Sequence, residues 1–182
     1  MLCTTLDSPL GELLLVGEES ATAPGGTALA ALSLPDQKGG TAVLDGRRYD
    51  PAAFTEIARQ LGAYFDGTLT RFRIEYAQQA ATRGTDFQRR VWRALESIPY
   101  GTTTTYGRIA AGIGAGRGAV RAVGTAIGAN PLLVVRPCHR VIAADGSLSG
   151  YAGGPERKRR LLDLEAAAAA GTPGGLRAPN RR

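Results

Sequence analysis

The apolar residues of the chain recur at two different spacings, which indicate strands in the first half and helices in the second. Alternation on both sides of the segment Asp7–Gly11, followed by the apolar run Leu13–Val16, predicts a β-hairpin with a tight turn. Further strands are predicted near residues 28–34 and from Phe72 to Tyr76. Between them, residues 51–66 are expected to form an amphipathic helix, because their apolar positions recur at helical spacing.

A helix with clear signals at both ends opens the second half of the chain. Thr85 stands three residues before Gln88, the arrangement of a capping box, and an apolar stripe at helical spacing follows as far as Ile98. The sequence Pro99–Gly101 then predicts the end of this helix.

Two short helices are predicted next, over residues 104–111 and 118–129, with the glycine-rich turn 112–116 between them. Helices joined in this way resemble a helix-turn-helix, whose second helix would carry Arg117 and Arg121. An ordinary helical hairpin has the same pattern, so the two helices alone leave DNA binding open.

The segment after the second helix leads to the most reactive side chains of the sequence. Asn130 and the proline after it end that helix, and the apolar run Leu132–Val135 predicts a buried strand that delivers the chain to Cys138. A short strand and a turn are expected from Val141 onwards, followed by a last helix over residues 155–169.

Charge divides the chain in the same way as the hydrophobic pattern. The net charge is +6, but residues 1–85 hold 7 Lys and Arg against 10 Asp and Glu, a net −3, whereas residues 86–182 hold 15 against 6, a net +9. Nearly all the basic residues of the second part are arginines, which suit phosphate and base contacts. This asymmetry indicates a polyanionic partner, most simply nucleic acid, although a basic surface without a partner has the same composition.

The sequence composition indicates the cellular compartment and bears on disulfide and metal sites. The N-terminus has no basic stretch followed by an apolar run, and no apolar stretch reaches the length of a membrane span, so we expect a cytoplasmic protein without a membrane partner. The two cysteines, Cys3 and Cys138, are too few for a disulfide framework. With the single histidine, His139, they also provide too few ligands for a closed Cys/His zinc site, and no metal is expected.

Cys138 is the candidate nucleophile. The adjacent His139 and Arg140 favour the reactive thiolate, although a buried cysteine is more often a small core residue. Glu165 is expected to face inward, by its spacing from the leucines of the last helix, and an inward carboxylate needs a partner. The sole histidine is the candidate partner; the alternative is a solvated Glu165 that pairs with a residue of the run Arg157–Arg160.

These residues leave three functions open. A Cys-His-Glu set suits a thiol hydrolase or an alkyl acceptor, and the helix pair alone suits a DNA-binding regulator or lesion sensor without chemistry. Residue spacing does not choose between them.

The sequence around Cys138 resembles a known family. Pro137–Ile142 is similar to the active-site signature of the O6-alkylguanine-DNA alkyltransferases (methylated-DNA–protein-cysteine methyltransferases). The strong resemblance covers residues 84–166, and the N-terminal half is similar through Asp7–Gly11. Other segments typical of the family follow in its order: Gly84–Gln88, Ile98–Gly101, Thr105–Gly107, Arg121–Gly124, Asn130–Pro131 and Gly150–Gly154.

The resemblance implies a catalytic role for four residues. Cys138 would attack the alkyl carbon, and His139 would take the thiol proton through a water molecule. Glu165 would orient the imidazole and stabilise its charged form. Tyr106 would assist extrusion of the damaged nucleotide and protonation of the leaving guanine.

The same resemblance implies the contacts to DNA and to the base. The second helix of the helix-turn-helix would enter the minor groove, where Arg121 would fill the place of the extruded nucleotide and Arg117 would also bind DNA. Asn130 would join this helix to the active-site segment. The purine edge would be read by the backbone of four residues: Val141, Tyr151, Ala152 and Gly153.

The implied protein has an α+β fold: a small ribonuclease-H-like α/β domain over residues 1–83, a mainly helical domain with a helix-turn-helix over 84–169, and a disordered tail over 170–182. It would be a DNA repair methyltransferase that moves the alkyl group of O6-alkylguanine in double-stranded DNA to its own cysteine, once per molecule. No cofactor is expected, because the damaged DNA is the alkyl donor. We expect a monomer in solution. The resemblance leaves open activity on O4-alkylthymine and cooperative binding to DNA.

Two features depart from the family pattern. The chain has one residue more than the usual spacing between Tyr106 and Arg121, within the glycine-rich turn. Arg136 stands before Pro137 where the family usually has an apolar residue, and the sequence offers no account of it.

Overall fold

The computed structural model describes residues 1–34, 36–37 and 46–171, which form a small sheet domain followed by a mainly helical domain. This α+β architecture agrees with the fold class expected from the sequence. Residues 172–182 of the predicted tail lie outside the described residues.

The sheet contains four strands: β1 (Leu2–Ser8), β2 (Gly11–Glu19), β3 (Thr27–Ser33) and β4 (Arg48–Tyr49). Their order is β3-β2-β1-β4; β1 and β3 are antiparallel to β2, and β4 is parallel to β1. The predicted hairpin and the predicted strand near residues 28–34 are therefore confirmed.

Both faces of β2 are buried, which explains its unbroken apolar run. Leu13 and Leu15 belong to the main hydrophobic core, whereas Leu14 and Val16 belong to a smaller cluster. Successive side chains of a strand point to opposite faces, so a strand covered on both sides needs apolar residues at consecutive positions.

A helix covers the expected segment after the sheet. It begins as a short 3-10 turn, Pro51–Phe54, and continues as α1 (Thr55–Phe65). The strand predicted from Phe72 to Tyr76 is wrong, because this segment meets the sheet only at a bridge between Tyr76 and Leu29 before the chain enters another helix. That helix is α2 (Gln78–Thr82).

The second half is built on helices that pack against one another. α3 (Asp86–Glu96) has the predicted capping box, and its Trp92 donates a hydrogen bond of 2.8 Å from Nε1 to the Ala126 carbonyl. The remaining elements are β5 (Thr104–Thr105), α4 (Tyr106–Gly112), α5 (Val120–Gly128), β6 (Val141–Ile142) and α6 (Pro155–Ala169).

The helix pair differs from the prediction at its N-terminal ends. Thr104 and Thr105 pair in parallel with β6, so α4 begins only at Tyr106, with Thr105 accepting a hydrogen bond from the Arg108 backbone. α5 begins at Val120, after a 3-10 turn over Arg117–Ala119. The longer glycine-rich turn is bound to α3, since the Arg90 guanidinium donates to the Ile113 carbonyl.

The strand predicted over Leu132–Val135 is also wrong. Leu132 forms a single bridge with Leu32, and the next residues form tight turns in which the Val135 amide donates to the Leu133 carbonyl at 2.7 Å. Val134 has φ +67°, a left-handed conformation that is rare for a β-branched residue. All four side chains are buried, so the apolar run reflected burial and not strand structure.

A single hydrophobic core joins the two halves. It contains Leu32 and Leu61 from the first half together with Leu95, Val123 and Leu161 from the second. Among the described residues, no helix combines the length and the apolar character that crossing a membrane requires.

We expect Thr85→Ala to lower the free energy of unfolding by about 1 kcal/mol, because it removes the side-chain acceptor that caps α3. Urea denaturation would measure this loss. Thr103→Ala is the matched control, since Thr103 is exposed and no described hydrogen bond involves its hydroxyl. Equal effects of the two substitutions would contradict a specific role of the cap.

Candidate active site

The residues of the candidate site are hydrogen-bonded to a buried carboxylate on α6. Glu165 is 1% exposed, and its two oxygens accept hydrogen bonds from His139, Arg140, Tyr64 and the Gly101 backbone. The structure thus brings together the two residues that sequence reasoning had paired, with His139 Nε2 at 2.8 Å from Glu165 Oε1.

Arg140 provides the charge that balances this carboxylate. Its Nε lies 2.9 Å from Glu165 Oε2 and its Nη2 lies 2.9 Å from Oε1, a two-pronged arrangement that arginine forms well with carboxylates. Burial alone would raise the pKa of Glu165, but the hydrogen bonds from His139 and Arg140 and the charge of Arg140 outweigh it and lower the pKa to about 2. The carboxylate is therefore ionised at neutral pH.

His139 is completely buried, with its two ring nitrogens in different surroundings. Nε2 faces the ionised Glu165, so it carries the ring proton, and Nδ1 makes no hydrogen bond to the protein. Burial lowers the pKa of His139 below its usual value, although Glu165 opposes this shift. The imidazole is neutral at physiological pH and offers Nδ1 as a proton acceptor.

Cys138 begins a buried 3-10 turn, Cys138–Arg140, and not the end of a strand. Burial raises the pKa of its thiol to about 11, with partial opposition from the Asn130 side chain and the Lys158 charge. The neighbouring histidine and arginine were expected to favour the thiolate, but both are engaged with Glu165. The resting sulfur is a protonated thiol.

Asn130 fixes the backbone around the thiol. Its amide nitrogen donates to the Arg136 carbonyl at 3.1 Å, and the Cys138 amide donates to the same carbonyl at 2.7 Å. Its side-chain oxygen accepts from the Leu132 amide at 3.1 Å. Asn130 follows the end of α5, so it connects that helix to the cysteine turn through the Arg136 carbonyl.

Arg136, which the sequence left unexplained, binds the same turn to neighbouring elements. Its guanidinium lies between the rings of Tyr76 and Trp92, 5.2 and 5.3 Å from their centroids. Its Nε also pairs with Glu96 at 2.9 Å. The side chain therefore anchors the residue before Pro137 to α3 and to the end of the first domain.

A buried lysine that sequence reasoning missed lies near the thiol. Lys158 donates from Nζ to the Val141 carbonyl at 2.6 Å and to the Ser149 carbonyl at 3.2 Å. Burial lowers the pKa of Lys158 to about 8, and the neighbouring Cys138 opposes this shift. The Val141 carbonyl, expected to read the purine, already accepts this bond and has one further lone pair.

Tyr106 lies near Lys158 and packs against the loop that contains Ser149. Its hydroxyl donates to the Ser149 carbonyl at 3.0 Å, and its ring lies 5.9 Å from Lys158 Nζ. Gly150 has φ +81°, and a Cβ there would collide with the Tyr106 hydroxyl. The loop that contains Gly150 can therefore approach Tyr106 closely only with glycine at this position.

The loop expected to read the base continues through Tyr151, Ala152 and Gly153. Tyr151 is buried with its ring 6.5 Å from the His139 ring, and Ala152 is half-buried. A Cβ on Gly153 would lie 2.7 Å from the Tyr151 ring and 3.1 Å from Leu34, so the first domain packs directly against this loop.

The expected DNA-binding residues lie on α5 and just before it. Arg121 is exposed on the first turn of α5, where no described atom pairs with its guanidinium. Arg117 belongs to the preceding 3-10 turn, and its side chain lies outside the described part of the chain. In the ranges 1–34, 36–37 and 46–171, no group of three or more His, Cys, Asp or Glu side chains is placed to hold a metal ion.

Three residues of the site escaped sequence reasoning. Tyr64 fitted the apolar stripe of a helix, and Lys158 lay in a basic run that is usually solvated. Arg140 was considered only as a neighbour of the thiol, and its pairing with Glu165 had no signal in the spacing. One general signal was present: Glu165 is an inward carboxylate, and such a group requires several donors.

Comparisons with known proteins cover nearly the whole chain. Residues 1–77 match the family described as the 6-O-methylguanine DNA methyltransferase ribonuclease-like domain, and residues 86–167 match its DNA-binding domain. A methylated-DNA–protein-cysteine methyltransferase of Mycolicibacterium paratuberculosis is 50% identical over 161 residues, 88% of this chain and 90% of that protein. The Mycobacterium tuberculosis protein of the same name is 49% identical over 88% of this chain and 90% of its own length.

A solved structure extends the similarity to three dimensions. The crystal structure of the Mycobacterium tuberculosis OGT in complex with DNA superimposes with a TM-score of 0.81 and 47% sequence identity. The match covers 92% of this chain and 94% of that chain.

The buried cluster predicts acid sensitivity in two steps. The folded-state pKa values of His139 and Glu165 both lie below their unfolded values, so each group stabilises the fold above its unfolded pKa and loses that effect as pH falls. We expect the free energy of unfolding to decrease below pH 6.5, and again between pH 4.5 and about 2.

Urea titrations across this pH range would measure both steps. His139→Gln, which cannot titrate, should lose the first step and keep the second. A wild-type free energy of unfolding that does not change over the range would contradict this account of the cluster.

We expect Arg136→Met to lower the free energy of unfolding by about 1–3 kcal/mol, because an ion pair and two cation–π contacts are lost. Arg93→Met is the matched control, since Arg93 is an exposed arginine of the same α3 helix. Chemical denaturation of both variants checks the prediction, and equal stabilities would show that the contacts of Arg136 contribute nothing to the free energy of unfolding.

Proposed function

The chain belongs to the 6-O-methylguanine DNA methyltransferase family, and from this premise we propose that it repairs O6-alkylguanine in duplex DNA by moving the alkyl group to Cys138. The chain is a DNA repair alkyltransferase of the methylated-DNA–protein-cysteine methyltransferase class, with DNA as its partner. The observation that carries the proposal is the buried Cys138 turn, whose neighbour His139 offers a free Nδ1 while Glu165 holds Nε2.

Access to the lesion requires that the nucleotide leave the base stack. O6 of a paired guanine is not accessible to a buried thiol, and rotating the nucleotide out of the duplex costs a few kcal/mol. The exposed Arg121 side chain on α5 would fill the vacated space in the duplex, and Arg117 would bind DNA beside it. Asn130 would transmit the position of α5 to the Cys138 turn through its hydrogen bonds.

The extruded base would be held by backbone groups. The second lone pair of the Val141 carbonyl and the backbone of Tyr151, Ala152 and Gly153 would bind the purine edge. Backbone recognition explains why small residues suffice at two of these positions. Tyr106 would exchange its bond to Ser149 for a bond to the purine ring.

The bonds and protons of the transfer step balance without a cofactor. The Cys138 sulfur forms a bond to the alkyl carbon while the bond from that carbon to O6 breaks. The thiol proton passes through a water molecule to His139 Nδ1, and the departing guanine takes a proton from the Tyr106 hydroxyl. The imidazolium then returns a proton to the tyrosinate, which the nearby Lys158 charge stabilises in the interval.

The product limits each molecule to one reaction. A thioether has no leaving group that water or a neighbouring residue displaces, so the thiol is not regenerated. Glu165 stabilises the imidazolium only while the transfer proceeds, because the low pKa of His139 returns the ring to its neutral form.

Counting repaired lesions tests this proposal. We expect the protein, mixed with an excess of duplex carrying one O6-methylguanine, to repair one lesion per molecule and then stop. Cys138→Ser, a nearly isosteric control, should bind the duplex and repair none. Continued turnover would indicate a hydrolase instead, and binding without any repair by the wild type would indicate a lesion sensor.

A second prediction separates extrusion from chemistry. Arg121→Ala should slow repair of duplex DNA by about 10- to 100-fold, because a few kcal/mol of extrusion is no longer offset. Transfer from free O6-benzylguanine, which needs no extrusion, should change little. Arg108→Ala, the loss of an exposed arginine on α4, is the matched control and should affect duplex repair less. Equal loss on both substrates would show that Arg121 supports the fold.

A further inference from the structure

A tyrosine from the first domain enters the buried cluster beside the thiol. Tyr64 lies near the C-terminal end of α1 and is 1% exposed. Its hydroxyl donates to Glu165 Oε1 at 2.7 Å and lies 3.3 Å from His139 Nε2. No other described residue of the sheet domain makes a hydrogen bond to His139 or Glu165.

Tyr64 and His139 compete for the same carboxylate oxygen. Glu165 Oε1 accepts from Tyr64, from His139 Nε2 at 2.8 Å and from Arg140 Nη2 at 2.9 Å. Each donor withdraws negative charge from the oxygen, so each weakens the bonds made by the others. The hydroxyl therefore reduces the attraction that the carboxylate exerts on a protonated imidazole.

We propose that Tyr64 is a positioning residue for the alkyl transfer: its hydroxyl shares Glu165 Oε1 with the imidazole, weakens the attraction of the carboxylate for the charged ring and so keeps the ring neutral, with Nδ1 free as the base. This inference rests on the proposed function for the reaction and adds a residue from the first domain to it. The sheet domain would then contribute to the chemistry as well as to the hydrophobic core.

Other titratable and charged groups also face His139. Two positive charges lie near it, on Arg140 and Lys158, and both lower the pKa of His139. Burial holds the pKa of Tyr64 well above its usual value, so its hydroxyl remains a donor throughout the working range. The remaining titratable neighbours of His139 are Cys138, Glu165 and Tyr151, and Tyr100 contacts the ring of Tyr64.

Removal of the Tyr64 hydroxyl should raise the pKa of His139. In Tyr64→Phe the carboxylate loses one donor and interacts more strongly with the imidazolium, so the pKa of His139 rises. The neutral, reactive form of the ring is then lost at a higher pH than in the wild type. A shift of about one pH unit is expected when a carboxylate loses one hydrogen bond of this kind.

The single histidine of the sequence allows a direct measurement. In untagged, nitrogen-15-labelled protein, long-range proton–nitrogen correlation spectra contain one imidazole, whose nitrogen shifts report both its tautomer and its pKa. We expect the wild type to show the Nε2–H tautomer and Tyr64→Phe to titrate at a higher pH. Tyr100→Phe is the matched control, because the Tyr100 hydroxyl is also buried but has no described hydrogen-bond partner.

Rates of transfer from O6-benzylguanine across the same pH range give a second readout. The acid limb of the rate profile should move to higher pH in Tyr64→Phe by the same amount as the imidazole pKa, and should stay in place in Tyr100→Phe. A role in packing alone would lower the rate equally at every pH.

Three results would overturn the inference: an unchanged imidazole titration in Tyr64→Phe, an equal shift in Tyr100→Phe, or loss of the folded state on removal of the Tyr64 hydroxyl. The last would assign the hydroxyl to the fold. The spectra do not depend on alkyl transfer, so a wild type that transfers nothing would refute the proposed function and leave the titration to decide the role of Tyr64.

Discussion

One buried carboxylate sets the conditions for the rest of the site. Glu165 lies in the interior of the protein and is stable there as an ion because Arg140 neutralises it and three further groups donate to it. These donors come from α1, from the loop before β5 and from the turn that contains the thiol. The carboxylate therefore fixes the relative positions of distant segments and determines which nitrogen of His139 is free.

The arrangement is compatible with the proposed role of Cys138 as alkyl acceptor, although its thiol has a high pKa. Burial keeps the Cys138 thiol protonated and unreactive in the resting protein. In the proposed reaction the neutral His139 base is already in place, and the activated alkyl group would arrive only with the alkylated base. A protein consumed by such a reaction would gain from this restraint, because adventitious alkylation would waste it.

Much of the fold and part of the site follow from local sequence signals. The hairpin, α3 with its capping box and α6 were predictable because caps, turns and periodicity are encoded within a few residues. The segment Leu132–Val135 was not, because burial and strand structure give the same apolar run. Family motifs pointed to Cys138, His139 and Glu165. Tyr64 and Arg136 were beyond such reasoning, since their partners lie far away in sequence and only the folded chain brings them together.

In the proposed reaction the alkyl group of the lesion ends on the sulfur of Cys138. A duplex with a carbon-13-labelled methyl group on O6 of one guanine allows this to be tested by peptide mass spectrometry after digestion of the reacted protein. We expect the label on the peptide that contains Cys138, in a one-to-one ratio, and none on the peptide that contains Cys3. Label released as methanol, or found on any other residue, would contradict it.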